Sequence, residues 1–222
     1  MKTVALMSRK PGMTRAEFRD YYETTHAVLG MRFFEFQKYI RNHVVEPSEN
    51  CSPFDTFSEF WQASLSEVHA AMSGPIGAIM RRDGSRFIDR SLQRLACAEE
   101  FLITGAPRGV APLPARKTCL FLNVSCGLDR SEVLDAATRW GDEIAGAAAD
   151  RIVRVTMDRI APFENSAFPY DAILSVWPAQ DAMDLRPAPL PDGIAVGASA
   201  SVEACETPPG VLAANYDQRP LF

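Results

Sequence analysis

Histidine is scarce in this 222-residue chain: His26, His43 and His69 are the whole supply, and all three lie in the first half. Cysteine is present five times, an odd number, scattered and without a CxxC pair. That excludes a disulfide framework and a zinc knuckle, and fits free thiols in a reducing compartment. With no metal-ligand spacing among the histidines, neither a metal nor any other cofactor is expected. No apolar run approaches the ~20 residues a bilayer requires. The opening residues Met1 to Lys10 return to charge too soon for a secretory signal, so the expected location is cytoplasmic, without a membrane partner. There is no GxGxxG after a strand, no Walker loop, no HExxH and no GxSxG. A net charge of −5 lacks the basic face that nucleic acid needs. The acidity is uneven: residues 1–111 hold 14 basic against 13 acidic side chains, and residues 112–222 hold 9 against 15.

What the chain does have is a repeat. Gly12-Met13-Thr14-Arg15-Ala16-Glu17-Phe18 returns 115 residues later as Gly127-Leu128-Asp129-Arg130-Ser131-Glu132-Val133. Both follow a strand-like run, and both open a helix with a capping box, Thr14 with Glu17 and Asp129 with Glu132. Farther on, Phe54 to Trp61 matches Tyr170 to Trp177 at offset 116. Each copy reads strand, helix, strand, strand, helix, strand. Strands are expected near 2–9, 36–45, 54–62 and 93–103, then near 117–124, 151–160, 170–177 and 195–205. Helices are expected near 14–29, 64–73, 129–145 and, cut short by prolines, 181–185.

On the first of these helices, Phe18, Tyr22, Thr25 and Leu29 form one stripe. Gly74-Pro75-Ile76-Gly77 reads as a turn. These elements predict an α+β fold: two ferredoxin-like βαββαβ units packed sheet to sheet as an intramolecular dimeric α/β barrel. The expected domains are 1–104 and 116–207, joined by a linker at 105–115 and followed by a tail at 208–222. Pairing of whole chains into a homodimer is a further expectation.

The first copy resembles the EthD-like family of dimeric α/β-barrel proteins. The resemblance rests on Arg9 to Thr14, Phe18, Tyr21, Tyr22, His26 and Ala27, then Tyr39 to His43, Asp55 to Trp61, and Asp83 through Phe87 to Asp89. The second copy departs from it, with Ala136, Ala137 and Gly141 where the first has Tyr21, Tyr22 and His26. Such a resemblance implies small aromatic or polyketide-derived substrates, and in some members cofactor-free cyclase, dehydratase or decarboxylase chemistry.

The residues themselves point to the first copy, which holds every histidine and 13 of the 21 aromatic side chains. His26 lies four residues after Tyr22, so one helix face offers an acid–base group and a hydroxyl. On the second strand Tyr39, Arg41 and His43 alternate onto one face, which is expected to be solvated or to line a polar cavity. On the third, Phe57, Glu59 and Trp61 share a face. Glu59 there is expected either to carry a proton, its pKa raised by desolvation, or to pair with Arg41. His26, His43, Tyr22 and Glu59 are thus the catalytic candidates, with Arg41, Tyr39, Phe57 and Trp61 binding substrate. Asp55, repeated as Asp171, reads as structural. The leading function is a cofactor-independent lyase or isomerase. The alternatives are a monooxygenase, either cofactor-free or with haem on His26, and a non-catalytic module that binds an aromatic ligand.

Overall fold

Glycine at positive φ opens both halves: Gly12 (φ 88°) and Gly127 (φ 85°) turn the chain from a first strand into a first helix, a backbone region that side chains other than glycine rarely enter. The computed structural model describes residues 1–46, 53–107, 113, 115–163, 167–179 and 189–217. The first half contains β1 (Lys2–Met7), α1 (Arg15–Tyr21), a π-helical segment (Tyr22–His26), α2 (Ala27–Phe33), β2 (Phe36–Glu46), β3 (Thr56–Gln62), α3 (Leu65–Ser73), α4 (Pro75–Gly84) and β4 (Arg94–Gly105). The second contains β5 (Arg116–Val124), α5 (Arg130–Ala147), β6 (Ile152–Pro162), β7 (Ala172–Pro178), β8 (Ile194–Glu206) and α6 (Pro209–Asn215). The strands hydrogen-bond in the order β1-β3-β2-β8-β5-β7-β6-β4 as a closed barrel. This is the α+β barrel expected from the repeat.

The two halves use the same local fastening. Asp55 accepts the Arg9 backbone N–H at 2.8 Å and the Arg15 Nε at 2.9 Å. Asp171 accepts the Val124 N–H at 2.8 Å and the Arg130 Nε at 3.0 Å. In each case one carboxylate ties the strand's end to the first turn of the helix, the structural task its recurrence implied. The caps differ. Thr14 and Glu17 complete a capping box, whereas Asp129 accepts the Glu132 N–H without a reciprocal bond.

Two segments depart from expectation. Pro75 begins α4 and is not part of a turn, because proline's missing N–H and preset φ suit the first helical position. Residues 209–215 of the expected tail form a short helix whose Leu212 is buried in a core cluster. The expected helix at 181–185 lies outside the described residues, as does most of the expected linker.

Packing divides the chain into two units, one of residues 1–43, 53–95 and 205–222, the other of 44–52 and 96–204. The first has a core of Ala5, Met7, Phe18, Tyr22, Tyr39 and Phe87 with neighbouring side chains. The second packs Trp140, Ala137 and Ile144 of α5 on Val155, Met157, Leu174 and Val176. No described helix is long and apolar enough to cross a membrane.

Gly141 explains why the second unit has no counterpart of His26. A Cβ placed there would stand 2.5 Å from Ile103 Cδ1 and 3.1 Å from Leu174 Cδ1, so α5 lies directly on the sheet. Gly146, on the same helix, has nothing within 4 Å of such a Cβ. Gly141→Ala gains the same helix propensity as a substitution at Gly146 but must push the ends of Ile103 and Leu174 aside, so it is expected to be less stable than Gly146→Ala by about 1–3 kcal/mol. Gly146→Ala should be neutral or stabilising by up to about 1 kcal/mol through helix propensity. Urea unfolding of the two variants beside the parent chain measures both.

Candidate functional site

The site begins with a fault in a helix. At Tyr22 the hydrogen-bond ladder widens, and the Ala27 N–H donates to the Tyr22 carbonyl five residues back, as in a π turn. One extra residue is thereby fitted into the turn. The buried stripe runs through Phe18, Tyr22, Ala27 and Met31, while Thr25 and Leu29, expected on that stripe, are only half-buried. The widened turn holds Glu23 and His26.

Glu23 lies over the β2 face that bears Tyr39, Arg41 and His43. Its Oε1 is 2.6 Å from His43 Nε2 and accepts from Arg41 Nε at 3.0 Å, while its Oε2 accepts from Arg41 Nη2 at 2.7 Å. Arg41 Nη1 also donates to the Thr207 hydroxyl. Burial works to raise the Glu23 carboxyl. The hydrogen bonds from His43 and Arg41, and their charges, outweigh it and bring the carboxyl down to about 2. The face expected to be solvated or to line a cavity is instead covered: Tyr39, Arg41 and His43 are all buried. An arginine can lie there because an ionised carboxylate meets it. His43 Nδ1 is buried without a hydrogen-bond partner.

Nearby, hydroxyls meet in the core. Tyr22 and Ser58 hydroxyls are 2.6 Å apart, and the Tyr39 hydroxyl donates to that of Tyr22 at 3.1 Å. Complete burial pushes the Tyr22 phenol up to about 12, so it stays protonated at neutral pH.

His26 has a different setting. Its Nδ1 is 2.6 Å from Asp83 Oδ2, and the Tyr21 hydroxyl donates to Oδ1 of the same carboxylate at 2.7 Å. Burial acts to raise the Asp83 carboxyl, but the bonds from His26 and Tyr21 prevail and lower it. The imidazole packs against Phe87, centroids 4.8 Å apart, and meets Tyr22 edge-on at 5.3 Å. Its side chain remains 15% exposed. Among the described residues, Nε2 has no hydrogen-bond partner.

The remaining sequence candidates lie on the other face of the sheet. Glu59 pairs with Lys2 at 2.6 Å and accepts from Asn42 Nδ2 at 2.9 Å. Lys2 Nζ also lies 4.6 Å from the Trp61 ring centre. Phe57, completely buried, shares that face. Strand alternation separates Glu59 from Arg41, so the expected pairing of the two is not formed. The structure thus gathers Tyr22, His26, Tyr39, Arg41 and His43 under the helices and keeps Phe57, Glu59 and Trp61 apart. His69 is exposed.

Sequence reasoning named none of Glu23, Asp83, Tyr21 and Thr207 as site residues. Tyr21 and Asp83 were among the residues that carry the EthD-like resemblance, and that was the available sign for both. Thr207, 166 residues from Arg41, carried none.

Residues 10–91 match the family model described as EthD domain. No curated protein matches the chain. A solved EthD-family protein from Bacillus halodurans is 22% identical, covering 46% of this chain and 99% of its own, at a TM-score of 0.38. A solved structure described as an anthrone oxidase-like protein is 12% identical and covers 100% of this chain and 95% of its own, at a TM-score of 0.57. At that identity the likeness is one of fold.

Because folding lowers the Glu23 pKa from 4.5 to about 2, its stabilisation stands in full above pH 4.5. It fades as the pH falls toward 2. Glu23→Gln should remove that part of the acid dependence and, by leaving Arg41 and His43 buried beside a neutral group, cost about 3 kcal/mol at pH 7. Urea unfolding of both proteins between pH 2 and 7 tests this: the two stability curves should converge at the acid end.

Proposed function

We propose, taking residues 10–91 as an EthD domain, that this chain is a small-molecule enzyme working by proton transfer, with His26 as its base and a small aromatic or polyketide-like compound as its substrate. One observation carries the reading. His26 is held through Nδ1 by an ionised carboxylate, while Nε2 is unengaged at a partly exposed position. Asp83 fixes the tautomer, so Nδ1 bears the proton and the lone pair is on Nε2. Tyr21 holds the other carboxylate oxygen and so fixes Asp83.

A base so oriented can take a phenolic proton, or one from carbon beside a carbonyl, and can return it to a neighbouring atom. Dehydration and cyclisation start from the resulting phenolate or enolate, whereas decarboxylation and retro-aldol cleavage generate such an anion by losing CO₂ or a carbonyl fragment and need the imidazolium to return a proton to it; all suit a lyase or isomerase without a cofactor. The rings of Tyr22 and Phe87 supply an apolar wall on one side of the imidazole. His43, closed off by Glu23 and burial, has the positioning role in this reading. A second reading draws on the fold shared with an anthrone oxidase-like protein: the same proton loss gives a carbanion that dioxygen can attack.

Solvent deuterium exchange tests the common step. Anthrone, a hydroxynaphthoate and an aryl 1,3-diketone are incubated in D₂O with the parent protein, His26→Gln and Asp83→Asn. The parent should accelerate exchange of at least one compound, His26→Gln should lose ~10²-fold or more, and Asp83→Asn should lose less. Equal exchange by the parent and His26→Gln on every compound would overturn the reading. Oxygen uptake in the same samples separates the oxygenase from the lyase or isomerase.

A further inference from the structure

Arg41, the arginine that the strand pattern offered as an anion holder, is fully engaged by Glu23 and Thr207. The loop that supplies Asp83 carries another. Arg86 is exposed, its guanidinium near enough to act on the Tyr21 hydroxyl and the Asp83 carboxylate, and among the described residues it forms no direct ion pair. Both Asp83 oxygens are already taken by His26 and Tyr21, so the guanidinium next to them keeps donors to spare.

Lys10 adds a second cation to this loop. Its ammonium donates to the Ser85 carbonyl at 3.3 Å, and its backbone N–H donates to the Phe87 carbonyl at 2.7 Å. It too forms no ion pair among the described residues. Several other guanidiniums of this unit are spent on the protein itself, Arg9 and Arg15 on Asp55, Arg81 on the Met72 carbonyl, Arg94 on the carbonyls of Ser91 and Gln93. The segment 81–94 has five arginines and two aspartates, and of those two Asp83 is committed to His26. The exposed guanidinium of Arg86 therefore lies beside the Tyr21–Asp83 pair that holds His26.

Resting on the reading of His26 as a base, we infer that the substrate is an anion, an aromatic compound bearing a carboxylate. Arg86 anchors this group with Lys10 beside it, and the acidic O–H or C–H is presented to His26 Nε2. A guanidinium matches a carboxylate with two parallel N–H donors, and its partly solvated setting keeps the gain modest and dependent on salt. Arg86 is then the residue that selects substrate charge, and it takes no part in the proton transfer.

A matched pair of probes tests this, 1-hydroxy-2-naphthoate and its methyl ester, titrated into the full chain while the imidazole C–H signals are followed by NMR. Three histidines make assignment simple, because His26→Gln removes one signal set. The acid should bind at least about fivefold tighter than the ester and shift the His26 signals. Arg86→Gln should bring the acid down to the ester's affinity and leave the ester unchanged, and 0.5 M NaCl should narrow the gap in the parent protein.

Equal binding of acid and ester, a preference that survives Arg86→Gln, or His26 signals that neither probe moves would each overturn the inference. Failure here is distinguishable from failure of the base. Exchange that depends on His26 without a preference for the acid removes only the anchor. An Arg86-dependent preference without exchange removes only the base.

Discussion

A single carboxylate, that of Glu23, makes the covered face of the first unit possible. Arg41 and His43 lie on a strand roofed by helices, and a guanidinium removed from water without a counter-charge would cost several kcal/mol. Glu23 meets both side chains at once. The widened turn at Tyr22–His26 brings it there, and the same turn sends Tyr22 into the core. Helix geometry, burial and charge are therefore one arrangement in this region. Straightening that turn to regular α geometry would rotate Glu23, His26 and the apolar stripe relative to one another.

The second unit shows what the same layout becomes when its helix serves only packing. α5 runs unbroken for 18 residues, and small residues allow it to lie against the sheet. Ala137 is completely buried where the first copy has Tyr22, and Gly141 stands where the first copy has His26. What the copies retain in common is the clasp of Asp55 and Asp171 on Arg15 and Arg130. Fold is carried by those shared contacts, and the chemistry-bearing groups belong to one copy.

The strands were legible because alternation and β-branched content are local properties, and the repeat allowed each copy to check the other. The helices were less so. Gly74-Pro75-Ile76-Gly77 has the composition of a turn, yet its proline takes the position where a helix needs no N–H. The widened turn left no local mark, since Glu23-Thr24-Thr25 reads as ordinary amphipathic helix. Of the site, both histidines and Arg41 could be named from residue type. Their partners could not: Asp83 is 57 residues from His26, and Glu23 is 20 from His43. Such pairings are made by tertiary packing and not by spacing. Glu59 was drawn toward Arg41 because neighbouring strands look adjacent on paper, while the pleat sends their side chains to opposite faces.

The bond between Arg41 and Thr207 has a consequence for the order in which the molecule is made. The first unit includes residues 205–222, and Leu212 fills part of its core. At ribosomal speeds of roughly 5–20 residues per second, the 166 residues between the partners take on the order of ten seconds to appear. For that interval the nascent first unit has an arginine and a hydrophobic hollow whose closing pieces have yet to be translated. Its assembly must wait for the residues around Thr207 and Leu212, whatever the speed at which its own strands and helices can form.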